Sequence, residues 1–362
     1  MIPINDLSRI DQIEIDDLTN LIGEVVSSGW YVHGPYLKLF ESDLSAFLGV
    51  KHCAGVANGT DALTIALKAV GVTSGDQVCV TANAGGYGTG ALFNLGAAPV
   101  YVDVDADIGL ISLDDLELKL VANANVKCII VTHLYGNAAP MPAIMELARR
   151  FNVRVLEDCA QSIGAMVDGN LTGTWGDIST FSFFPTKNLG ALGDAGAIAT
   201  NDDALNEAVV SLRQYGWSEK YQITKANGQN SRLDEIQAAI LSYRLKQIES
   251  KNKLRRNILK QYKAALIGSN AKALWFDDNR SVGHLAVIRI ENRDNVRQFL
   301  GNLGVGTDIH YPICDYDQAP WAVEKPNLPN TSKLNSEILT IPCFPNLTQN
   351  EIDLICKALK EI

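Results

Sequence analysis

Val153-Arg-Val-Leu-Glu-Asp158 and Ser179-Thr-Phe-Ser-Phe-Phe184-Pro-Thr-Lys187-Asn-Leu-Gly-Ala-Leu-Gly193-Asp-Ala-Gly196 are the two stretches on which the reading of this chain turns. Each opens as a short apolar run of the kind that forms a buried strand, and each delivers an ionisable side chain at or just past its end. Working outward, the text from about Thr60 to Thr200 alternates between helical periodicity and β-rich runs. Strands are expected at Gln77–Thr81, Pro99–Asp103, Lys127–Thr132, Val153–Asp158, Ile178–Phe184 and Ala195–Thr200, and helices at Ala62–Val70 and Met141–Phe151. That alternation predicts a doubly wound α/β core, a mostly parallel sheet flanked by helices.

Beyond Arg232 the pattern changes to one long amphipathic helix over about Leu233–Leu266, which would span about 50 Å at about 1.5 Å per residue and bridge two units. His284–Glu291 and Val305–Ile309 read as strands, Asp294–Leu303 and Thr348–Lys360 as helices. The expectation is a large domain over 1–245 with an N-terminal active-site segment, and a smaller α+β domain over 246–362. A chain of 362 residues, 47% hydrophobic, can fill both cores.

The formal charge of -10 excludes a general nucleic-acid binder, because phosphate backbones need a concentrated basic surface. Seven cysteines, none in a C-x-x-C pair, read as free thiols of a reducing compartment. Met1–Ile10 has no apolar signal-peptide core, and no apolar run is long enough to cross a bilayer. The expected location is the cytoplasm, away from membranes. His33, His52, His133 and His284 are scattered without matching carboxylate or thiol spacing, so no metal site is expected.

Open α/β sheets bind ligands beyond the carboxyl ends of their strands, which singles out Asp158. Taken alone, such an aspartate more often caps the following helix, and a lone lysine such as Lys187 is more often a surface charge. Together they read differently. A lysine held just beyond an apolar strand in a glycine-rich turn is kept from bulk water, which favours the neutral, nucleophilic amine. A Schiff-base lysine plus an acid that keeps a pyridine nitrogen protonated is the minimum apparatus for pyridoxal phosphate. That cofactor also needs an anion site. Asn58-Gly59-Thr60-Asp61 offers a glycine turn entering a helix, with Ser182 as a further hydroxyl donor.

The run Phe181–Ala197, with Glu157-Asp-Cys-Ala-Gln-Ser162 before it, resembles the sugar aminotransferases of the DegT/StrS type, within the fold type I aspartate aminotransferase superfamily. Further similar stretches span nearly the whole chain: Ser28-Gly-Trp-Tyr-Val-His-Gly34, Asn58-Gly-Thr-Asp-Ala-Leu63, Leu212–Gly216, Gly228–Ala239 and His310-Tyr-Pro312. The resemblance implies that Lys187 joins the cofactor as a Schiff base and Asp158 pairs with its ring nitrogen. Gln161 would sit near the phenolic oxygen. Gly59, Thr60 and Ser182 would hold the phosphate, joined by Asn230 of the partner subunit, so that a homodimer completes the site. His310, Tyr311, Lys220 and Tyr221 would meet the nucleotide-linked sugar, with Arg232 a further candidate for its diphosphate.

The implied reaction moves an amino group from a donor, expected to be glutamate, to a keto sugar on a nucleotide. The Lys-Asn-Leu-Gly-Ala-Leu-Gly-Asp form is similar to enzymes acting at C3 of a dTDP-3-keto-6-deoxyhexose, whereas C4 enzymes more often show histidine after the lysine. Amination at C4 of a 4-keto sugar and a non-catalytic, cofactor-binding regulatory protein remain the alternatives. A dehydratase offshoot would carry histidine in place of Lys187, and no G-x-G-x-x-G supports a dinucleotide enzyme.

One departure stands out. Members of this family usually place an aromatic residue in the loop after the strand at 77–81, where it stacks on the cofactor, yet this chain reads Ala82-Asn-Ala-Gly-Gly-Tyr-Gly-Thr89. The aromatic position falls on Gly85. Either Tyr87 reaches the stacking position through a rearranged loop, or stacking is weakened and access to the cofactor widened. Asp315 and Tyr316 also depart from the relatives' pattern and bear on which sugar is bound.

Overall fold

The computed structural model describes residues 1–321 and 325–362. Its main sheet has seven strands in the order 52–56, 196–200, 178–182, 154–158, 126–132, 77–81, 98–102. Gly196–Thr200 runs antiparallel to both of its neighbours, and the remaining pairings are parallel. The strand Val126–Thr132 exposes only Lys127. Such near-continuous apolar runs are what a parallel strand covered on both faces requires.

One face is covered by the helices Gly59–Ala69, Tyr87–Leu95 and Asp203–Leu212, which bury Leu63, Leu92 and Val209 against Val80, Ile130 and Ile198. The other is covered, over the strands 77–81, 98–102, 126–132 and 154–158, by Leu113–Ala122 and Met141–Phe151. Near Phe181 and Ala197 it is covered instead by Pro35–Leu48 and Glu235–Leu245. Parallel register sets Thr132, Asp158 and Thr180 side by side, so the strand ends form one rim. This rim carries the candidate chemistry.

A second, three-stranded antiparallel sheet (272–273, 286–289, 338–341) packs against Ile248–Ala265 and Gln349–Leu359 through Ile258, Tyr262, Ile288, Leu339 and Ile355. Residues at the N-terminus join it: Ile2 bridges Val305, and Arg9 forks onto the Glu351 carboxylate at 2.7 and 2.8 Å.

Two expectations are corrected. The long helix over 233–266 is two helices, Glu235–Leu245 and Ile248–Ala265, separated at Lys246–Gln247, where Gln247 has φ -106° and ψ -4°. The amide of Gln247 bonds the carbonyl of Arg244, a tightened last turn. The first helix buries Ala238 and Leu241 in the large core and the second buries Ile258 and Leu259 in the small one. One straight stripe cannot face both cores. Val305–Ile309 is likewise not a strand: it makes only the isolated bridges Ile2–Val305 and Asp308–Thr340. Among the described residues, no helix is long and apolar enough to cross a membrane.

Candidate active site

At the carboxyl ends of 154–158 and 178–182 lies a cavity of about 690 Å³. Asp158, the last residue of its strand, is 6% exposed, and its carboxylate accepts from the Ala160 amide at 3.1 Å. Burial pushes this carboxyl up, opposed by that amide and by the charge of Lys187. Lys187 follows the strand Ile178–Ser182 in a turn closed by its own amide on the Phe184 carbonyl, at 2.8 Å. Burial pulls its amine down to about 8, with Asp158 acting in the opposite direction. No direct ion pair joins the two among the described residues. At pH 7 about one amine in ten is therefore neutral and nucleophilic.

Across the cavity, the helix Gly59–Ala69 begins at Asn58, whose side chain caps the Asp61 amide at 2.8 Å. The amides of Gly59 and Thr60, both in the cavity wall, have no partner within the helix. Gly59 packs so closely on the strand that a Cβ there would lie 2.6 Å from Cβ of Ser182. Glycine at 59 is thus required by the close approach of turn and strand. Two unpaired amides, the helix dipole and the Ser182 hydroxyl make a cradle for a small anion.

The remaining wall comes from distant sequence. Gln161 accepts the Tyr135 amide at 2.7 Å and donates to the Tyr311 hydroxyl at 3.0 Å. The Tyr135 hydroxyl donates to the carbonyl of His310 at 2.6 Å. His310 Nδ1 lies 2.9 Å from the Thr340 hydroxyl, and its Nε2 is 3.9 Å from the Asp308 carboxylate. Burial pushes the His310 ring down, against the pull of Asp308. Tyr87 starts the helix Tyr87–Leu95, is 51% exposed, and stands edge-on to Tyr311 with ring centroids 6.2 Å apart.

Lys187, Asp158, Gly59, Thr60, Gln161, Ser182, Tyr87, His310 and Tyr311 therefore converge on one cavity. Lys220, Tyr221 and Asn230 do not line it. They lie on the hairpin region 217–230, where Tyr221 is 77% exposed and the Lys220 amine sits 5.1 Å over its ring. Asn230 is exposed and bridges to Gln214, and Arg232 stands over the Tyr215 ring.

Some cavity residues leave no usable mark in the sequence. His284 is buried, its Nδ1 3.0 Å from the Asn188 side chain, and burial beside Lys187 holds it far below the usual range, hence neutral. Asn5 and Asp308 reach the wall from opposite ends of the chain. A strand-end motif could have pointed to Asn188, adjacent to Lys187; nothing in one sequence points to Asn5.

His133, Glu157 and Cys159 bring potential ligand atoms within 4.8 Å of one another. The histidine and carboxylate atoms already have protein partners. Glu157 accepts from the amides of Gly173, Trp175 and Gly176, each at 2.8 Å. His133 Nδ1 accepts the Ala139 amide at 3.0 Å, which leaves Nε2 to donate to Glu157 at 3.0 Å. The cluster ties the loops behind the sheet together.

Residues 12–360 match the DegT/DnrJ/EryC1/StrS aminotransferase family. The chain is 37% identical over 361 residues to the dTDP-3-amino-3,6-dideoxy-alpha-D-galactopyranose transaminase of Aneurinibacillus thermoaerophilus, covering 99% of each. It is 36% identical to the dTDP-3-amino-3,4,6-trideoxy-alpha-D-glucose transaminase of Micromonospora megalomicea subsp. nigra, covering 96% of this chain and 94% of that one. Among solved structures it is similar to DesV of S. venezuelae in complex with a ketimine intermediate, with a TM-score of 0.95 and 33% identity over 99% of this chain and 98% of that one.

Proposed function

Because the chain belongs to the DegT/DnrJ/EryC1/StrS aminotransferase family, we propose that it holds pyridoxal phosphate in this cavity and moves an amino group from glutamate to C3 of a dTDP-linked 3-keto-6-deoxyhexose. The observation that carries this reading is the buried Asp158 carboxylate sharing a cavity with a lysine amine depressed to about 8. The residues present fit the cofactor. Lys187 offers the amine for its aldehyde, Asp158 the anion for its ring nitrogen, and Gly59, Thr60 and Ser182 the donors for its phosphate. The gap left by the missing Cβ at 59 brings those donors together.

When bound, pyridoxal phosphate supplies an aldehyde that captures amines and a cationic ring that withdraws electrons from the carbon attached to them. Asp158, whose charge is disfavoured by burial when unpaired, would be held as a carboxylate by a protonated ring nitrogen and would in turn favour that protonated form. With the cofactor in place, Lys187 Nζ would be the base that takes up and gives back a proton at the substrate carbon. An amine near 8 suits both directions, being partly charged and partly neutral at working pH. His284 stays neutral beside it and adds no competing positive charge.

His310, through a ring fixed by Thr340, faces the space left for the sugar, and Asn5 and Asp308 border it. Lys220, Tyr221 and Asn230, on a surface hairpin away from their own cavity, would serve the cavity of a second copy, with Asn230 adding a phosphate donor there. The C3 assignment is supported by the dTDP-3-amino sugar relatives at 36–37% identity.

The test is direct. Protein loaded with pyridoxal phosphate should show a band at roughly 400 nm that decays on adding glutamate. It should then aminate a 3-keto dTDP sugar, with the product identified by mass and NMR. Amination of a 4-keto sugar alone would overturn the regiochemistry; an unchanging band with glutamate would overturn the donor.

A further inference from the structure

Gly85 and Gly86 both occupy the left-handed region, at φ +77° and +81°. A side chain at either position would be strained and crowded: a Cβ at 85 would lie 3.0 Å from Cδ1 and Cε1 of Tyr311, and one at 86 would lie 2.7 Å from the Trp321 ring. The space beside the glycine loop is therefore filled by a ring from more than two hundred residues later in the chain.

That ring is held from several sides. Its hydroxyl accepts from Gln161 at 3.0 Å, three residues past Asp158, and Gln161 is itself pinned by the Tyr135 amide at 2.7 Å. Tyr135 closes the circuit by donating to the carbonyl of His310 at 2.6 Å. On the far side, the Asp315 amide donates to the Ala82 carbonyl at 2.9 Å and its carboxylate accepts from the Thr89 hydroxyl at 2.6 Å. Asp315 thus ties the 310–315 segment to both ends of the 82–89 loop. Tyr87, by contrast, is 51% exposed and meets Tyr311 edge-on at 81°. It backs the other ring and does not hold the position itself.

We propose that Tyr311 is the aromatic wall against which the flat cofactor ring packs in this chain, taking the place left empty by Gly85, with Gln161 setting its orientation. This rests on the reading of the cavity as a pyridoxal phosphate site. A flat, polarised ring gains from an offset or edge-on aromatic neighbour, and here that neighbour belongs to the segment that also carries His310.

The experiment measures equilibrium binding of pyridoxal phosphate by full-length protein stripped of cofactor, using absorbance and induced circular dichroism of the bound band. Tyr311→Ala and Tyr311→Leu should each weaken binding roughly tenfold and diminish the induced dichroism. Tyr311→Phe should restore affinity to within about threefold while shifting the band, because the ring returns without its bond to Gln161. Tyr87→Ala should change affinity less than about threefold. If the parent protein binds but Tyr311→Ala and Tyr311→Leu, with melting temperatures like the parent's, bind equally well, the assignment of the wall is overturned while the cofactor reading stands. A tenfold loss confined to Tyr87→Ala overturns the assignment in the same way. If the parent protein takes up no pyridoxal phosphate at all, both readings fall.

Discussion

The two walls of the cavity are built by different means. One is made from the ends of adjacent parallel strands, where Asp158 and, just beyond Ser182, Lys187 are placed by sheet register and a short turn. The other is made by laying residues 310–315 on the glycine loop 82–89, an arrangement held by side-chain and backbone bonds between segments far apart in the chain. On the proposed reading the strand-end wall would hold the groups for covalent chemistry and proton transfer, and the stitched wall would govern fit and access. Damage to the first should therefore abolish turnover with the fold intact, and damage to the second should change binding and stability first.

The sharpest contrast comes from Lys187→Ala, which would remove both the amine proposed for the aldehyde and the proposed proton carrier. A fall in kcat of about 10⁴-fold or more is expected, with melting temperature essentially unchanged. A smaller loss would move the proton transfer to another group. Asp158→Asn keeps the shape but not the charge, and should cost about 10²- to 10³-fold in kcat. Its loaded form should bind the cofactor more weakly, as read by dialysis.

Reactivity should also follow pH on the strand-end wall. With the Lys187 amine at about 8, the neutral fraction grows about tenfold between pH 6 and 7 and levels off above about 8. Stopped-flow capture of pyridoxal phosphate by the stripped protein should rise in that way. A rise that continues tenfold per unit past about pH 9 would place the amine in water and not in a desolvated site. Gly59→Ala lies where a helix start meets the strand end, and its Cβ would lie 2.6 Å from Cβ of Ser182. Crowding there should cost roughly 1–3 kcal/mol of stability and weaken phosphate binding, both measurable by melting with and without inorganic phosphate.

The smallest effect concerns Asp315 in the stitched wall. It is 1% exposed, one carboxylate oxygen has no partner among the described residues, and burial raises its pKa from 3.8 to about 6. A folded-state pKa above the unfolded one favours folding fully below about 3.8, and that advantage is lost as pH rises through about 6. At pH 8 the buried charge is a liability. Asp315→Asn, which can still accept from Thr89, should gain about 1–2 kcal/mol at pH 8 and flatten the stability profile between pH 4 and 7. Denaturant melts at pH 5 and 8 check this; an unchanged profile would show that the carboxyl is hydrated.

Local signals reach some parts of this molecule and not others. The helix Met141–Phe151 is legible to the residue because its apolar positions recur along one face and Asn152 stops it in the left-handed conformation. Strands such as Val126–Thr132 are legible from their unbroken apolar runs. The break at Lys246–Gln247 is not, since no glycine or proline marks it and the two halves differ only in which core they face. The likeness of Val305–Ile309 to a strand is real in composition, but a strand needs a continuous partner, and here Ile2 and Thr340 each offer a single bridge.

At the site, Asp158, Lys187, Gly59 and Ser182 can be named from the text because their function depends on position relative to a strand end or helix start, and both are written in nearby residues. Tyr311 over Gly85, His284 beside Asn188 and Asn5 at the rim depend on contacts between segments widely separated in sequence. The odd loop at 82–89 announces that something is missing; only the folded chain shows what fills the gap. Periodicity and local spacing encode which way each element faces, because backbone geometry repeats over a few residues. Packing between remote segments has no such repeat, and its outcome is settled by which shapes and hydrogen-bond partners meet once the two cores have formed.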